Sequence, residues 1–536
     1  MIPRTMLNFQ IRRSIATSHL NSRSSVEAIE TKATYYQEQI DKYQDDEKPS
    51  NWNESKPYNS IPGPKPWPIV GNIWRFFYGE FKGKNMAEIS KHLRNTYGDI
   101  VVLNKLIGIP DKVFLYNAED IEKMHRNEGL WPQRDALHSI LYYRTVLRKD
   151  IFQDKPGLTA MQGQDWFKFR TVVNPILMQP RTTIKYVGQM DTIADDFLRQ
   201  IHRLYEINPE MPEDFELLIN KWTLESITFL AIDKRIGCLE DHPTEEIQTF
   251  LASTVGVFKQ MYKLDVLPSL WKVYSTKDWK LFVKHMDFIT NTLLKYVDEA
   301  FQSVKDNPEI KDKFNKSIFD KFLELDRKVA ITMAIDMMTG GIDTTSKTFA
   351  ATLYFLSTNQ GPQTKLREEL KMLMPNKNTP ITAEILEKAK YLKAAIKEST
   401  RLAPIAVGNM RKTQKALVLS GYQIPKGVDL LSGAIALHHD DKQFKDSKKY
   451  MPERFLRTTT CEYSVKNTNP FVFLPFGFGS RSCVGKRLAN LELEIALAKI
   501  VRNYYLDWKR PEMKFNTTLI YGTADPLRYH LRAVED

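Results

Sequence analysis

The chain has little cysteine, three residues in 536. A disulfide framework is excluded and at least one thiol stays unpaired. A reducing compartment is the natural setting, so a cysteine that matters here is reactive or a ligand. Long apolar runs are missing as well. No stretch approaches the roughly 18 apolar residues of a membrane span, and no secretory core is present. Glycine (23) and proline (27) sit in the ordinary globular range, which excludes collagenous and disordered chains. There is no internal repeat. Acidic residues are absent from the first 26 positions, the first being Glu27.

What fills that stretch is Arg4, Arg12, Arg13 and Arg23 among serines and threonines, with Met6, Leu7, Ile11 and Ile15 at roughly helical spacing. Arginine-rich, serine-rich and acid-free, residues 1–26 read as a mitochondrial transit peptide, the plainer alternative being a frayed basic tail. Residues 27–60 are polar and read as a linker. The proline-rich Ile61–Pro68 can hold an extended path but no helix. The whole chain carries a net charge of +12, of which the four arginines account for part and leave a body of +8. Nucleic acid, an anionic membrane and an acidic protein all remain candidate partners on charge alone.

Strand-like runs at Val101–Leu103 and Val113–Leu115 flank Gly108 and Pro110. Helical periodicity dominates from about 118 to 402, a second strand-rich stretch spans about 405–435, and a third lies near the C-terminus. At ~150 residues per domain the length suggests three or four domains. No linker follows residue 68, however, so residues 61–536 are expected to form one domain, mainly α with small β-sheets.

The most informative segment is Phe476-Gly-Phe-Gly-Ser-Arg-Ser-Cys483-Val-Gly485, followed at once by a helical pattern through Leu488, Leu491, Ile495 and Ala498. A thiolate at a helix N-terminus is stabilised by the dipole and by free backbone N–H groups. Glycines permit the tight loop such a sulfur needs. This setting suits an iron ligand. Phe476, Gly479, Arg481, Cys483 and Gly485 together resemble the haem-binding signature of the cytochrome P450 family, with every fixed position filled. The other cysteines, Cys238 and Cys461, have no such setting and read as ordinary thiols.

Other motifs extend the likeness. Glu398 and Arg401 lie three apart on a helix that Pro404 stops, a spacing that by itself describes a common solvent pair. They resemble the family's Glu-x-x-Arg helix, completed by Arg454 in Pro452-Glu453-Arg454-Phe455, and the resemblance implies a buried structural lock. Trp166 and Arg170, four apart, are implied donors to haem propionates, as are Arg411 and Arg481. A long apolar helix from about Arg327 to Leu356 carries Gly340-Gly341-Ile342-Asp343-Thr344-Thr345. Paired glycines weaken a helix and mark either the close approach of a flat ligand or a local distortion. Asp343 and Thr344 resemble the family's oxygen-activation pair, with the hydroxyl set against dioxygen and the carboxyl feeding protons.

The resemblance covers about 60–536 and implies the P450 fold. Haem b, ligated by Cys483, would lie between the long helix and the cysteine loop, in a monooxygenase that hydroxylates a lipophilic small molecule with O2. Matched positions place Thr339, Ile405, Val407, Thr523 and Ala524 in the substrate wall, with Leu130, Trp131, Leu141 and Phe152 over the haem. Lys393 and Lys397 share a helix face, by default a solvated one. With Lys486 and Arg487 they resemble the docking site of mitochondrial members for a [2Fe–2S] ferredoxin, itself reduced by NADPH through ferredoxin reductase. The chain looks most like the insect mitochondrial clan, nearest its twelve family. That implies a peripheral location on the matrix side of the inner membrane and xenobiotic or insecticide metabolism. An ecdysteroid hydroxylase is the alternative, and a haem-thiolate sensor or isomerase that consumes no O2 is an alternative of another class. No motif favours nucleic acid.

Overall fold

The computed structural model describes residues 48–106, 109–153, 155–306, 316–458, 460 and 462–535. The transit-peptide reading of 1–26, residues 27–47 of the linker, Gly108 and Cys461 lie outside these residues. Five helices position the site: α1 (Gly163–Leu177), α2 (Phe215–Ile232), α3 (Arg327–Thr358), α4 (Lys390–Leu402) and α5 (Lys486–Asn503).

Helix α3 runs about 48 Å at 1.5 Å per residue. Asp326 caps its start, accepting the Lys328 N–H at 2.9 Å. Its apolar residues lie all round rather than in one stripe, so it is a core helix, and Val329 through Met338 are continuously buried. The helix is unbroken through Gly340-Gly341. A Cβ on Gly341 would come within 2.8 Å of Ile227 in α2, so that glycine serves close helix packing, whereas Gly340 faces open space. Helix α4 begins on a carboxylate cap: Glu369 accepts the N–H groups of Lys390, Tyr391 and Leu392 at 2.8–3.0 Å.

The first strand-rich stretch and the two ends of the second share one sheet. Strands β1 (Ile100–Leu103), β2 (Lys112–Leu115), β3 (Met410–Lys412) and β4 (Asp429–Ser432) build one sheet in the order β1-β2-β4-β3. Its central β2–β4 pair is parallel and joins segments some three hundred residues apart. Three two-stranded ribbons complete the β structure of the described residues. The part of the linker that is described is not loose. Lys56 donates its N–H to Gly421 and accepts from Gln423, so the folded body starts before Ile61. Polar composition does not prevent a backbone from pairing along an edge. No helix among the described residues is long and apolar enough to cross a membrane.

Candidate active site

The cysteine loop is a tight turn closed by the Cys483 N–H donating to Phe476 O at 2.8 Å. Gly477 and Gly479 take φ of +71° and +67°, values that disfavour a side chain. The Cys483 sulfur accepts from the backbone N–H groups of Gly485 and Lys486 at the start of α5, and the Arg170 guanidinium and Lys486 stand near. These favour the thiolate, while burial, the larger effect, pushes the thiol up. The side chain is nevertheless exposed, so its sulfur faces an interior cleft rather than packed atoms. Gly340 is exposed and Thr344 half-exposed on the adjoining stretch of α3. Cys238, by contrast, is fully buried, and burial beside Glu225 raises its thiol well above the ordinary range.

Behind the loop, Glu398, Arg401 and Arg454 meet with no solvent exposure. Arg401 Nε and Nη2 donate to the two oxygens of Glu398 at 2.8 Å each, and Arg454 Nε reaches Oε1 at 3.2 Å. Arg401 Nη1 also donates to the carbonyls of His438 and Ser447 at 2.7 Å. The Met451 N–H fills a further lone pair of Glu398 at 2.9 Å. Two arginines and one backbone N–H are thus pinned on one carboxylate.

On the other side the structure gathers arginines. Arg170 Nη2 donates to Ser482 O at 2.7 Å, and the Arg481 guanidinium stacks 3.7 Å over the Trp166 ring. Trp166 and Arg170 therefore form an interior group with Arg481 rather than a surface pair with each other. Arg481 also donates to the carbonyls of Pro132 and Met161 and to Gln162 Oε1, at 2.7–3.0 Å. Arg411 is held in the same way by protein groups. Its Nε donates to Glu128 at 2.6 Å and its two Nη nitrogens to Met410 O and Phe478 O, which leaves one N–H on each Nη. Trp131, expected over the haem, and Arg134, which the sequence did not single out, keep free donors: Trp131 Nε1 and Arg134 Nε are buried without a partner, as is Arg170 Nε. Trp131-Pro-Gln-Arg134 has no helical spacing to betray it, because Pro132 keeps it in a loop.

The cluster is short of negative charge. Burial pulls Arg481 down to about 8, and Arg134, Arg411 and Arg170 pull the same way against Glu128 alone. Burial likewise pulls Arg170 down to about 10. Unpaired guanidinium and indole N–H groups at this depth call for an anion.

Asp343 is buried on α3, and burial pushes its carboxyl up to about 6 against the pull of Lys347 one turn on, with Glu216 adding to the rise. Lys347 pairs with Glu216 at 2.5 Å and donates to Thr523 O at 3.0 Å. Thr344 Oγ1 donates to Gly340 O at 2.8 Å. Of the expected wall, Thr339, Ile405 and Val407 are half-buried, Thr523 is buried and Ala524 is exposed. Phe152 does not line a cleft: it is fully buried under the Arg144 guanidinium, 4.8 Å from its ring. Leu141 faces instead a surface cavity of about 600 Å³ shared with Tyr142, Trp271 and Trp279.

On the cysteine side, Lys393 lies 3.9 Å from Glu494, while Lys397 feels Lys486 and Arg457 as like charges. Lys486 and Arg487 are exposed, though Arg487 Nε donates to Met178 O at 2.8 Å.

The family model for cytochrome P450 matches residues 61–530. The chain belongs to the cytochrome P450 family. It is similar to cytochrome P450 CYP12A2 of Musca domestica, 36% identical over 505 residues that cover 91% of this chain and 93% of the relative. It is similar too to "Cytochrome P450 12b1, mitochondrial" of Drosophila acanthoptera, at 36% over 466 residues (85% and 86%). A third relative, "Probable cytochrome P450 301a1, mitochondrial" of Drosophila melanogaster, is 36% identical over 491 residues (90% and 89%). As a cytochrome P450 the chain is a monooxygenase, of a family whose haem iron is bound through a cysteinate. The residues present fit that group: an accessible sulfur inside the protein, an open face on α3, and a cationic cluster that lacks its anions.

Proposed function

We propose that this cytochrome P450 hydroxylates lipophilic compounds of several kinds in the mitochondrion, reduced by a [2Fe–2S] ferredoxin. The observation that carries the electron-transfer reading is the gathering of Lys393, Lys397 and Lys486 on the side of the molecule that holds Cys483. A convergent positive patch steers an acidic partner into a transient encounter. Two of the relatives are named as mitochondrial, which supports the location. Trp67, Ile69, Val70, Phe77 and Tyr78 are exposed along one short segment, which supports peripheral membrane contact.

In this reading Cys483 binds the iron, and Trp131, Arg134, Arg170 and Arg481 hold the propionates. Arg411, paired to Glu128, has one N–H left on each Nη for the same carboxylates. Bound haem supplies the activation of dioxygen and the insertion of one oxygen atom into a C–H bond. Thr344, its proton given to Gly340 O, can accept a hydrogen bond from the cleft, and Asp343 holds the proton to be delivered there. Glu398, Arg401 and Arg454 keep the cysteine loop in register.

Reconstitution with a mitochondrial-type ferredoxin and its reductase, across a panel of unrelated lipophilic compounds, tests the whole. Spin-state shifts and turnover should appear with several members. A response to one sterol alone overturns the xenobiotic reading, and turnover without ferredoxin and O2 overturns the reaction class. Reversing charge at Lys393 and Lys397 should raise the apparent ferredoxin KM about tenfold or more at low ionic strength, an effect that shrinks as salt is added. A KM insensitive to both would count against this face.

Asp343→Asn should slow turnover roughly 10²-fold. The native carboxyl keeps its proton above its ordinary 3.8, to about 6, so its burial lowers stability as pH rises through that window. The variant should therefore gain on the wild type in denaturant unfolding between those pH values. Equal turnover and a parallel pH profile would remove the role.

A further inference from the structure

One buried ion pair takes no part in the reading above. Arg144, in the π-helical turn Tyr143–Leu147, is fully buried, and its Nη1 lies 2.6 Å from Asp336 Oδ1. Asp336 stands on α3, two turns before Asp343. The same Nη1 donates to Pro156 O at 2.8 Å. The Leu158 N–H donates to Asp336 Oδ2 at 2.7 Å, and Thr159 Oγ1 donates to Oδ1 at 3.1 Å. Gly157, between them, has φ +92°, and a Cβ there would come within 2.5 Å of both Arg144 Nη1 and Asp336 Oδ2. The backbone is therefore drawn onto the ion pair more closely than any side chain permits.

The far side of this segment meets the cysteine loop. Arg481 Nη2 donates to Met161 O at 3.0 Å and to Gln162 Oε1 at 2.7 Å, and Nη1 reaches Leu158 O at 3.4 Å. Gln162 Oε1 accepts the Arg134 N–H at 3.2 Å as well. Residues 156–162 are thus strung between the central helix and two of the interior arginines. A buried ion pair gains little stability over an apolar pair of the same volume. Directional bonds that saturate one carboxylate do something apolar packing cannot: they fix a backbone segment at a set place.

We propose that Arg144 and Asp336 are positioning residues for the haem, setting through segment 156–162 where Arg481 and Arg134 present their N–H groups to the propionates. This rests on the propionate-binding reading of those two arginines. Two full-chain holoenzyme variants test it. Asp336→Asn removes the charge and keeps the shape, and the double variant Arg144→Met/Asp336→Leu removes both charges and leaves none orphaned. Haem loss to excess apomyoglobin should speed up roughly tenfold or more in each, the range seen when a supporting partner of a metal site is lost. Propionate-sensitive resonance Raman bands should shift while the thiolate carbon-monoxide band stays. A role confined to stability would lower the unfolding midpoint and move neither haem loss nor those bands, and that result in the double variant overturns the proposal. If the double variant does not accumulate, Thr159→Val, which deletes one bond at the same carboxylate, decides by the same two readouts. Arg134→Met separates the premises. If it too leaves haem loss unchanged, the propionate reading fails, whereas faster loss there with an unchanged double variant sinks the positioning alone.

Discussion

Cys483→Ala is expected to abolish the red-shifted carbon-monoxide band of a thiolate haem completely, together with turnover. The loop itself should survive. Its closing bond, from the Cys483 N–H to Phe476 O, is made by backbone, and the positive φ of Gly477 and Gly479 does not depend on the sulfur. What disappears is the acceptor for the Gly485 and Lys486 N–H groups and the negative partner that Arg170 faces. Cys238, the other described cysteine, cannot substitute, because burial beside Glu225 holds it in the thiol form. Haem should therefore bind weakly, if at all, and without the thiolate signature. A retained band in the variant would mean that the ligand is another residue.

The second large effect is on stability. Replacing Glu398 by glutamine leaves Arg401 and Arg454 as two fully buried guanidiniums with no carboxylate between them. Breaking a buried pair from one side costs roughly 3–5 kcal/mol. The loss should show as a lower denaturant midpoint and a lower yield of holoenzyme. Arg454→Met should cost less, roughly 1–2 kcal/mol, because its bond to Glu398 is single at 3.2 Å and the bidentate Arg401 pair remains. The order matters more than the sizes. Equal losses for the two variants, or a larger one for Arg454→Met, would show that the carboxylate is not the hub.

These two predictions concern the parts most legible in the sequence, and the reason is geometric. The cysteine loop and the Glu398–Arg401 helix are local structures whose glycines, spacing and stop residues dictate their own backbone. The Glu128 partner of Arg411 was not legible, because a place on a strand says where the residue sits and not what it touches, and Glu128 lies nearly three hundred positions away. Phe152 did mislead: an aromatic in the right stretch turned into the core, under Arg144. The paired glycines of α3 allowed either a distortion or a close approach. The structure shows an unbroken helix with Ile227 pressed against Gly341.

By itself the sequence determined the cysteine loop, the long core helix and the helix that carries Glu398 and Arg401 three apart, since each is encoded in one contiguous run of residues. Only the tertiary structure decided that Arg134 and Trp131 are left with free buried donors, that Glu128 claims Arg411, and that Asp336 gathers Arg144 and the 156–159 backbone. Each of those depends on groups that are far apart in the chain or lie in loops without periodicity. Burial, which turns an ordinary surface charge into one that must find a partner, exists only once the chain has folded.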